Sequence, residues 1–464
     1  VDRLTLSAYY GRDVFYFDLD DEEQGFVLDM DWGNYTSSLQ WRHVPNSKIV
    51  SLFSVAKTNY DWDLTLSMTL TDTATANETT TDILEKIVLQ DWTAKEQLDW
   101  YASDEHTITT GFEFKILEMT VDVAANGLSL MERRQSPYIL SLFLQDKWQP
   151  SALLSLQGGL RLTRYEIHDK FYFEPRLGFK YLLTENLALK ASWGIYKQFI
   201  FADANDEEII SFVDLWLPIP KSHDAQSTQH YIIGMEHWLG DGFFASVEAY
   251  YKPYDNTLDT NPNSDPGDDD DDFIAGTGKA YGLELLIKKN TGRFSGWLGY
   301  TYSRLEKKID FNSDGTIRKS DGEIYYPKYD RPHNFNAVFN YQLNVKNSFG
   351  LVISANSGQP YTPVEGKVFS QADWGSYTHP YSNLLDIYGR RNSQRYPPYF
   401  RMDVSWVRSI HPFGVDGKFK FQVLNVTNHF NTLFYQWNHT DAPSSVTAYS
   451  MFPILPTFGV EFKF

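Results

Sequence analysis

Apolar and polar side chains alternate with a period of two residues along most of this chain. This is the pattern of β-strands whose two faces meet different surroundings. Four clear examples are YGLELLIK (281–288), NFNAVFNYQL (334–343), FRMDVSW (400–406) and FGVEFKF (458–464). In each of them, aromatic and aliphatic residues dominate one face, and polar or charged residues dominate the other. The pattern predicts an all-β protein.

Eighteen candidate strands follow one another between residues 2 and 464. Every second connection is a short turn with Gly, Asn, Asp or Pro, such as PNS, TEN, LGDG and NTGR. The other connections are long and polar, except for EIHDKF at the seventh hairpin, and they lie at 13–31, 61–83, 122–135, 202–226, 257–277, 310–330, 363–397 and 435–453. This alternation puts all long loops at one end of the sheet, which is typical of outer-membrane barrels.

Eighteen strands would enclose a lumen too wide for side chains to fill. We therefore expect the apolar face to point outward into lipid, and charged residues such as Glu284, Asp403 and Glu461 to face the lumen. The last strand, which ends on Phe464, is expected to close the barrel. The alternative is a pair of soluble β-sandwiches, which would explain neither the loop alternation nor the terminal Phe.

Composition narrows the class further. Aromatic residues make up 16% of the 464 residues, mean hydropathy is polar, and no apolar run approaches the 18 residues of a membrane-spanning helix. The chain has no cysteine, which excludes disulfides and thiol chemistry. A net charge of -19 argues against nucleic acid as a partner. The common phosphate-loop, zinc-protease and serine-hydrolase motifs are absent, so we predict no enzyme.

Longer stretches resemble a known family. Residues 138–166 and 173–199 resemble the middle of the barrel of TonB-dependent outer-membrane receptors, Bacteroidetes type. GTGKAYGLELLIKK (276–289), YPKYDRPHNFNAVFNYQL (326–343), SGQPYTP and LNVTNHFNT resemble the carboxyl-terminal strands of the same receptors. The resemblance implies a transmembrane antiparallel β-barrel of about 22 strands with an amino-terminal plug. About 18 strands are present here, so we expect residues 1–464 to be barrel only, with the plug and first strands absent.

The resemblance also implies a function. A receptor of this kind sits in outer-membrane lipid and imports a scarce nutrient of the siderophore, cobalamin, glycan or peptide class. It binds the nutrient in extracellular loops, and the TonB–ExbB–ExbD machinery moves the plug. Long loops would be extracellular, the carboxyl terminus periplasmic, and a surface lipoprotein is an expected additional partner. The alternative is a passive diffusion porin or a surface-binding barrel subunit of a larger complex.

The long loops carry the candidate binding residues. Aromatic rings stack on sugars, heterocycles and catechols. The alternative for each of these residues is a place in the aromatic girdle of the barrel or in the packing of the loops. The candidates are Trp216, Gln359, Tyr361, Trp374, Tyr377 and Trp437. We further expect Asp330 and Arg331 to pair with one another at the outer rim.

One loop has the spacing of a calcium-binding loop. The segment DFNSDGTIRKSD (310–321) offers oxygen ligands at alternate positions around a glycine, from Asp310, Asn312, Asp314 and Asp321. The alternative is a polar hairpin tip in which Asp-Gly makes a turn. Calcium bound here would be structural. A second acidic run, 268–272, is expected to be a solvated loop tip.

Overall fold

The computed structural model describes residues 2–20, 24–72, 77–203, 215–261, 272–309, 324–369, 384–438 and 445–463. These residues form antiparallel strands, connecting turns and loops, and one short 3₁₀ turn, Pro412–Gly414. Within these ranges, no helix has both the length and the apolar character needed to cross a lipid bilayer.

The strands range from long strands of one main sheet, which we call the wall, to short strands that pair with one another within loops. Their bounds are β1 Asp2–Asp20, β2 Gln24–Asn46, β3 Ile49–Asp72, β4 Asn77–Tyr101, β5 His106–Ala125, β6 Leu128–Gln135, β7 Tyr138–Trp148, β8 Leu154–Tyr165, β9 Lys170–Thr184, β10 Leu187–Gln198, β11 Ile200–Asp203, β12 Leu215–Pro218, β13 Gln226–Gly240 and β14 Phe243–Thr260. They continue with β15 Phe273–Lys289, β16 Phe294–Lys308, β17 Ile324–Tyr325, β18 His333–Asn344, β19 Asn347–Asn356, β20 Pro360–Tyr361, β21 Val364–Phe369, β22 Leu384–Tyr388, β23 Gln394–Arg395, β24 Tyr399–Ile410, β25 Asp416–Leu424, β26 Thr432–Asn438, β27 Ser445–Ser450 and β28 Leu455–Lys463.

Eighteen of these strands form one continuous antiparallel sheet in which each pairs with the next along the chain. Short strands β6 and β17 extend its rim, and the remaining strands form four separate two-stranded pairs within the described loops. The predicted all-β, antiparallel class is confirmed. Strand β28 pairs with β25, and among the described residues its other edge pairs with no strand.

The short turns lie where the sequence predicts them, but three predicted long loops are wrong. Residues 13–31, 61–83 and 122–135 mainly continue β1 to β5 and add β6. The register between β3 and β4 runs without a shift from Ile49 opposite Trp100 to Asp72 opposite Asn77. These segments looked like loops because their outward residues are acidic, whereas alternation with period two persists through them.

The sheet curls, because a single hairpin touches strands that are far apart in it. The hairpin of β11 and β12 places β12 against β5 and β11 against β14. Val121 of β5, Phe201 of β11 and Leu258 of β14 pack in one buried cluster. The face that carries the hairpin is therefore the concave, inner face of the wall.

Charged side chains line this inner face. Lys190 lies 2.6 Å from Glu236 and 2.7 Å from Glu248, which stand on the next two strands, β13 and β14. Glu284 is directly opposite Glu248 and shares its face. The same register places Asp403 and Glu461 on the inner face, whose other polar pairs include Arg401–Asp403 and Lys420–Glu461. The predicted facing of the charged residues is confirmed.

Apolar side chains cover the outer face of the wall. On the first strands, the outward side chains change from apolar to polar partway along the strand. On β4 the outward positions from Trp100 to Trp92 span nine residues, the length of a membrane-crossing β-strand. Beyond Trp92 the outward positions become polar, for example Asp31 and Asp61, which pair with Arg12. We call the parts of β2 to β4 beyond this boundary the collar.

The collar is apolar on its inner face. Five inward residues form a buried cluster: Leu28, Met30, Trp62, Leu64 and Ile87. Water replaces lipid outside the collar, and packed protein replaces the charged lumen inside it. In the collar the outer face is therefore polar and the inner face apolar, which is the reverse of the rest of these strands. The register of the strands does not shift within the collar.

The β11–β12 hairpin is held down by the segment that follows it. The Tyr165 hydroxyl donates to the carbonyl oxygen of Ile219 at 3.2 Å. The Tyr172 hydroxyl donates to Asp224 at 2.8 Å, and the Lys170 ammonium lies 2.8 Å from the same carboxylate. These contacts clamp residues 219–225 against the ends of β8 and β9.

A cysteine-free chain allows the facing to be tested directly. Glu284→Cys places a thiol in the wet interior, and Leu285→Cys, its neighbour on the strand, places one in lipid. In the protein reconstituted into vesicles, a charged maleimide should label Glu284→Cys about tenfold faster or more, because thiolate formation needs water. Equal labelling rates would contradict the assigned faces.

The clamp predicts a response to acid. Burial alone would raise the pKa of Asp224, but hydrogen bonds from Lys170 and Tyr172 outweigh it and lower the pKa to about 2. The folded pKa lies below the unfolded one, so this contribution to stability is present above about pH 4 and is lost as pH falls toward 2. Protease cleavage within 219–225 should rise across that window. Asp224→Asn should weaken the clamp and abolish this pH dependence, whereas Asp416→Asn, at an exposed carboxylate, should leave it unchanged.

Candidate functional site

A cavity of about 290 Å³ lies beside the β11–β12 hairpin. Trp216 of β12, Tyr254 of β14 and Tyr329, from the segment after β17, contribute aromatic rings to its lining. Gln198 and Gln226, at the ends of β10 and β13, contribute amide groups. Burial raises the pKa of Tyr254 above its ordinary value, and a protonated tyrosine hydroxyl can donate a hydrogen bond. The cavity therefore combines flat apolar surfaces with neutral hydrogen-bonding groups.

An ion pair closes one side of the cavity. The Arg391 guanidinium lies 2.7 Å from the buried carboxylate of Asp259, and both residues line the cavity. The Tyr325 hydroxyl donates to the same carboxylate at 3.0 Å, and the guanidinium stands 4.4 Å from the centre of the Tyr325 ring. This cluster joins the end of β14, strand β17 and the loop before β23, which are distant in sequence.

A second ionic cluster fixes the loop that supplies Arg391. Asp330 is 2% exposed and accepts the Leu305 backbone N–H at 2.8 Å. It also accepts hydrogen bonds from the guanidinium groups of Arg304 and Arg395. Arg395 donates further to the carbonyl oxygen of Gly358 at 3.1 Å. The predicted pairing of Asp330 with Arg331 is wrong, because two arginines from other segments reach this carboxylate instead.

Two predicted residues lie next to this cluster. Gln359 accepts a hydrogen bond from Arg331 at 2.8 Å, so its amide is engaged within the protein. Tyr361 stacks on Tyr396, with ring centres 4.5 Å apart, and meets Tyr435 edge-on at 5.5 Å. Burial raises the pKa of both Tyr361 and Tyr396.

The close packing of this region requires a glycine. A Cβ atom at Gly358 would collide with the backbone carbonyl of Tyr396. The backbone N–H of Tyr396 also donates to the Gln359 carbonyl at 3.0 Å. The segments on either side of β20 and β23 therefore hold one fixed arrangement, which sets the position of the tyrosine cluster.

The predicted binding residues have different outcomes. Trp216 lines the cavity, whereas Gln359 and Tyr361 belong to the neighbouring loop clusters. Trp437 lies on β26, two residues after Tyr435, and is partly buried. The other six candidates lie outside the described residues: Trp374, Tyr377, Asp310, Asn312, Asp314 and Asp321.

Sequence reasoning missed the residues that join the loops. Asp259 and Arg391 are more than a hundred positions apart, so no local pattern links them. One signal was available, because Arg390, Arg391 and Arg395 form a basic stretch in an otherwise acidic chain. A basic cluster in such a loop needs buried carboxylate partners or an anionic ligand.

Among the described residues, this arrangement offers groups that suit binding and no catalytic constellation. The carboxylate of Asp259 pairs with the guanidinium group of Arg391, and the hydroxyl groups of the cavity belong to tyrosines and to Thr257. Across the described ranges, no group of three or more His, Asp or Glu side chains is placed to hold a metal ion. What the site offers is stacking surfaces, amide and hydroxyl groups, and one buried ion pair.

The fold is similar to that of several solved receptors. FpvA of P. aeruginosa, solved with heterologous pyoverdines, is 12% identical, with a TM-score of 0.62 over 99% of this chain and 65% of that one. The ferric-catecholate import receptor Fiu of E. coli K12 is 12% identical, with a TM-score of 0.57 over 93% and 77%. BauA, the ferric preacinetobactin receptor of Acinetobacter baumannii, is 10% identical, with a TM-score of 0.57 over 98% and 72%. At these identities the likeness shows the fold alone.

The sequence comparison identifies the family. No curated protein matches the chain. The family profile described as TonB dependent receptor-like, beta-barrel matches residues 2–428. This confirms the resemblance to TonB-dependent receptors and the prediction that the protein is not an enzyme. The chain belongs to the TonB-dependent receptor family and is a transport-receptor barrel of the outer membrane.

Proposed function

We propose that this protein captures a scarce nutrient at the cavity beside Trp216 and releases it inward when the TonB–ExbB–ExbD machinery pulls on a plug. The cavity carries this proposal, because it lies on the inner side of the wall next to a hairpin that partly crosses the interior. Family membership supports the energised step. In this orientation the long loops are extracellular and the carboxyl-terminal strand ends at the periplasmic side.

The ligand should contain rings edged with hydrogen-bonding groups. Trp216, Tyr254 and Tyr329 offer faces for stacking, and Gln198 and Gln226 offer both donors and acceptors. Iron-bearing siderophores, cobalamin, glycans and peptides all include members of this kind. The solved receptors with ferric siderophores make the first class the natural starting point for a search.

The alternative function is passive diffusion or surface binding as one subunit of a larger complex. The charged inner face would suit a water-filled pore. The β11–β12 hairpin supports the receptor, because an ordered segment held across part of the interior would slow the passive diffusion of solutes. A surface lipoprotein that covers the long loops is a further proposed partner, and it would contact the collar end of the wall.

The binding proposal predicts the effect of a single substitution. Trp216→Ala removes one stacking surface and should weaken ligand affinity by about tenfold, the usual effect of truncating an aromatic anchor. Trp193→Ala is the matched control, because Trp193 lies on the outer face and should leave affinity unchanged. Binding to purified full-length receptor would be measured by calorimetry with the compound that uptake assays identify.

Uptake assays would use a deletion strain supplied with ferric siderophores, cobalamin, oligosaccharides or peptides. Complementation by the wild-type protein in a TonB-positive strain but not in a TonB-negative strain is the expected result. Uptake that survives the loss of TonB would establish the porin instead. If Trp216→Ala kept both TonB-dependent uptake and full ligand affinity, the proposed binding site would be wrong, but the proposed transport function would stand.

Calcium in loop 310–321 is a separate proposal. Its support is the spacing of Asp310, Asn312, Asp314 and Asp321 around Gly315. We expect chelator to increase protease cleavage within 310–325 of the purified receptor, and added Ca²⁺ but not Mg²⁺ to reverse this. Asp314→Asn should show the chelated cleavage rate at every Ca²⁺ concentration. Cleavage that is indifferent to chelator would contradict a calcium site.

A further inference from the structure

Glu96 is an ionisable residue in the middle of the outer apolar band. It lies on β4, four residues from Trp92 and four from Trp100, which mark the two ends of the band on this strand. Its partners across the sheet are Phe53 of β3 and Phe112 of β5, and Phe112 is exposed on the outer face. Glu96 is an even number of residues from Trp92 and from Trp100 on the same strand, so it lies on the outer face, where these two tryptophans are exposed.

The neighbouring outward side chains give this carboxyl group little hydrogen bonding. Ser51 donates its hydroxyl to one Glu96 oxygen at 2.6 Å. The nearby Thr110 hydroxyl donates instead to the Phe143 carbonyl oxygen at 3.0 Å. In hydrocarbon a carboxyl group with a single hydroxyl partner is unfavourable, and such residues mark functional contacts.

The rest of the outer face shows how unusual this position is. Other outward ionisable side chains of the described strands lie near the ends of the band. Lys57 lies at the Trp92 end of the band, 5.0 Å from the centre of the Trp92 ring. His106 and Asp146 pair with one another at the Trp100 end. Among the described residues Glu96 alone is an ionisable residue at mid-depth. A wall made only to face lipid would carry Leu or Val here.

We propose that the outer surface around Glu96 and Ser51 is a contact between two copies of this chain, related by a two-fold axis along the membrane normal. Across that axis the two carboxyl groups face one another, with each Ser51 hydroxyl beside them. A protonated carboxyl group, the form that hydrocarbon favours, donates as well as accepts. Two such groups that face each other complete the hydrogen bonding that one lacks.

A second copy fits this surface for a geometric reason. The membrane fixes the depth of every residue, so identical chains bring Glu96 to the same depth on both sides of the contact. The contact is self-complementary, as a two-fold interface requires. A different protein would need its own polar group at this depth. Small side chains next to Glu96, namely Ala94 and Ser51, let the two walls approach closely.

The absence of cysteine makes this contact testable. Ala94→Cys places a thiol on the outer face beside the proposed axis. Ala249→Cys is the matched control, a small outward residue at lipid depth on β14, far from the axis. Full-length receptor in outer membranes would be treated with a short bifunctional thiol reagent. We expect a crosslinked species of twice the receptor mass for Ala94→Cys and none for Ala249→Cys.

The carboxyl group is then varied in the Ala94→Cys background. Glu96→Leu gives a uniformly apolar wall and should reduce the crosslinked fraction about tenfold, whereas Glu96→Gln keeps both donor and acceptor and should retain most of it. Crosslinking that matches the Ala249→Cys control, or that joins the receptor to a different protein, would overturn the proposal. Undiminished crosslinking in Glu96→Leu would equally overturn the role of the carboxyl group. Nutrient uptake is a separate readout, so failure here would leave the proposed function intact.

Discussion

The antiparallel pairing of eighteen successive strands in one sheet is the constraint on which this protein depends. Each strand of the main sheet pairs with its neighbours along most of its length, and this pairing satisfies backbone groups that would otherwise be unpaired in hydrocarbon. The same register fixes which side chains look outward. A shift of one residue would turn a row of aromatic residues into the lumen and a row of charges into lipid. The faces of Glu248 and Glu284, of Asp403 and of Glu461 all follow from it.

This constraint also explains why the loops can be elaborate. Because the wall is fixed independently, the segments between its strands are free to pair with one another. Asp259 pairs with Arg391, and Asp330 pairs with Arg395, both from later parts of the chain. Burial makes these ion pairs costly to break by removing one partner. The loops consequently form a connected structure around the cavity, anchored at β14 and β16.

The wall was predictable from sequence and the site largely was not. Period-two alternation is a local signal, so the number of main strands, the short turns and the facing of Glu284 could all be read directly. The extension of β1 to β5 was missed because the expected chemistry of the two faces reverses there, with Asp31 and Asp61 outside and Met30 and Trp62 inside. Trp216 was found by residue type alone. Its neighbours Arg391 and Asp259 come together only through folding of distant loops, which no spacing rule describes.

The collar has a consequence for how a solute first meets this receptor. About fifteen residues of β4 continue past Trp92, which lifts the rim roughly 35 Å above the upper edge of the apolar band. That height is comparable to the thickness of a bilayer. If the long loops are extracellular, as proposed above, these paired strands stand above the outer leaflet, and their backbone needs no further ordering when cargo arrives. The strands around such an entrance would be in place before a solute diffuses to it.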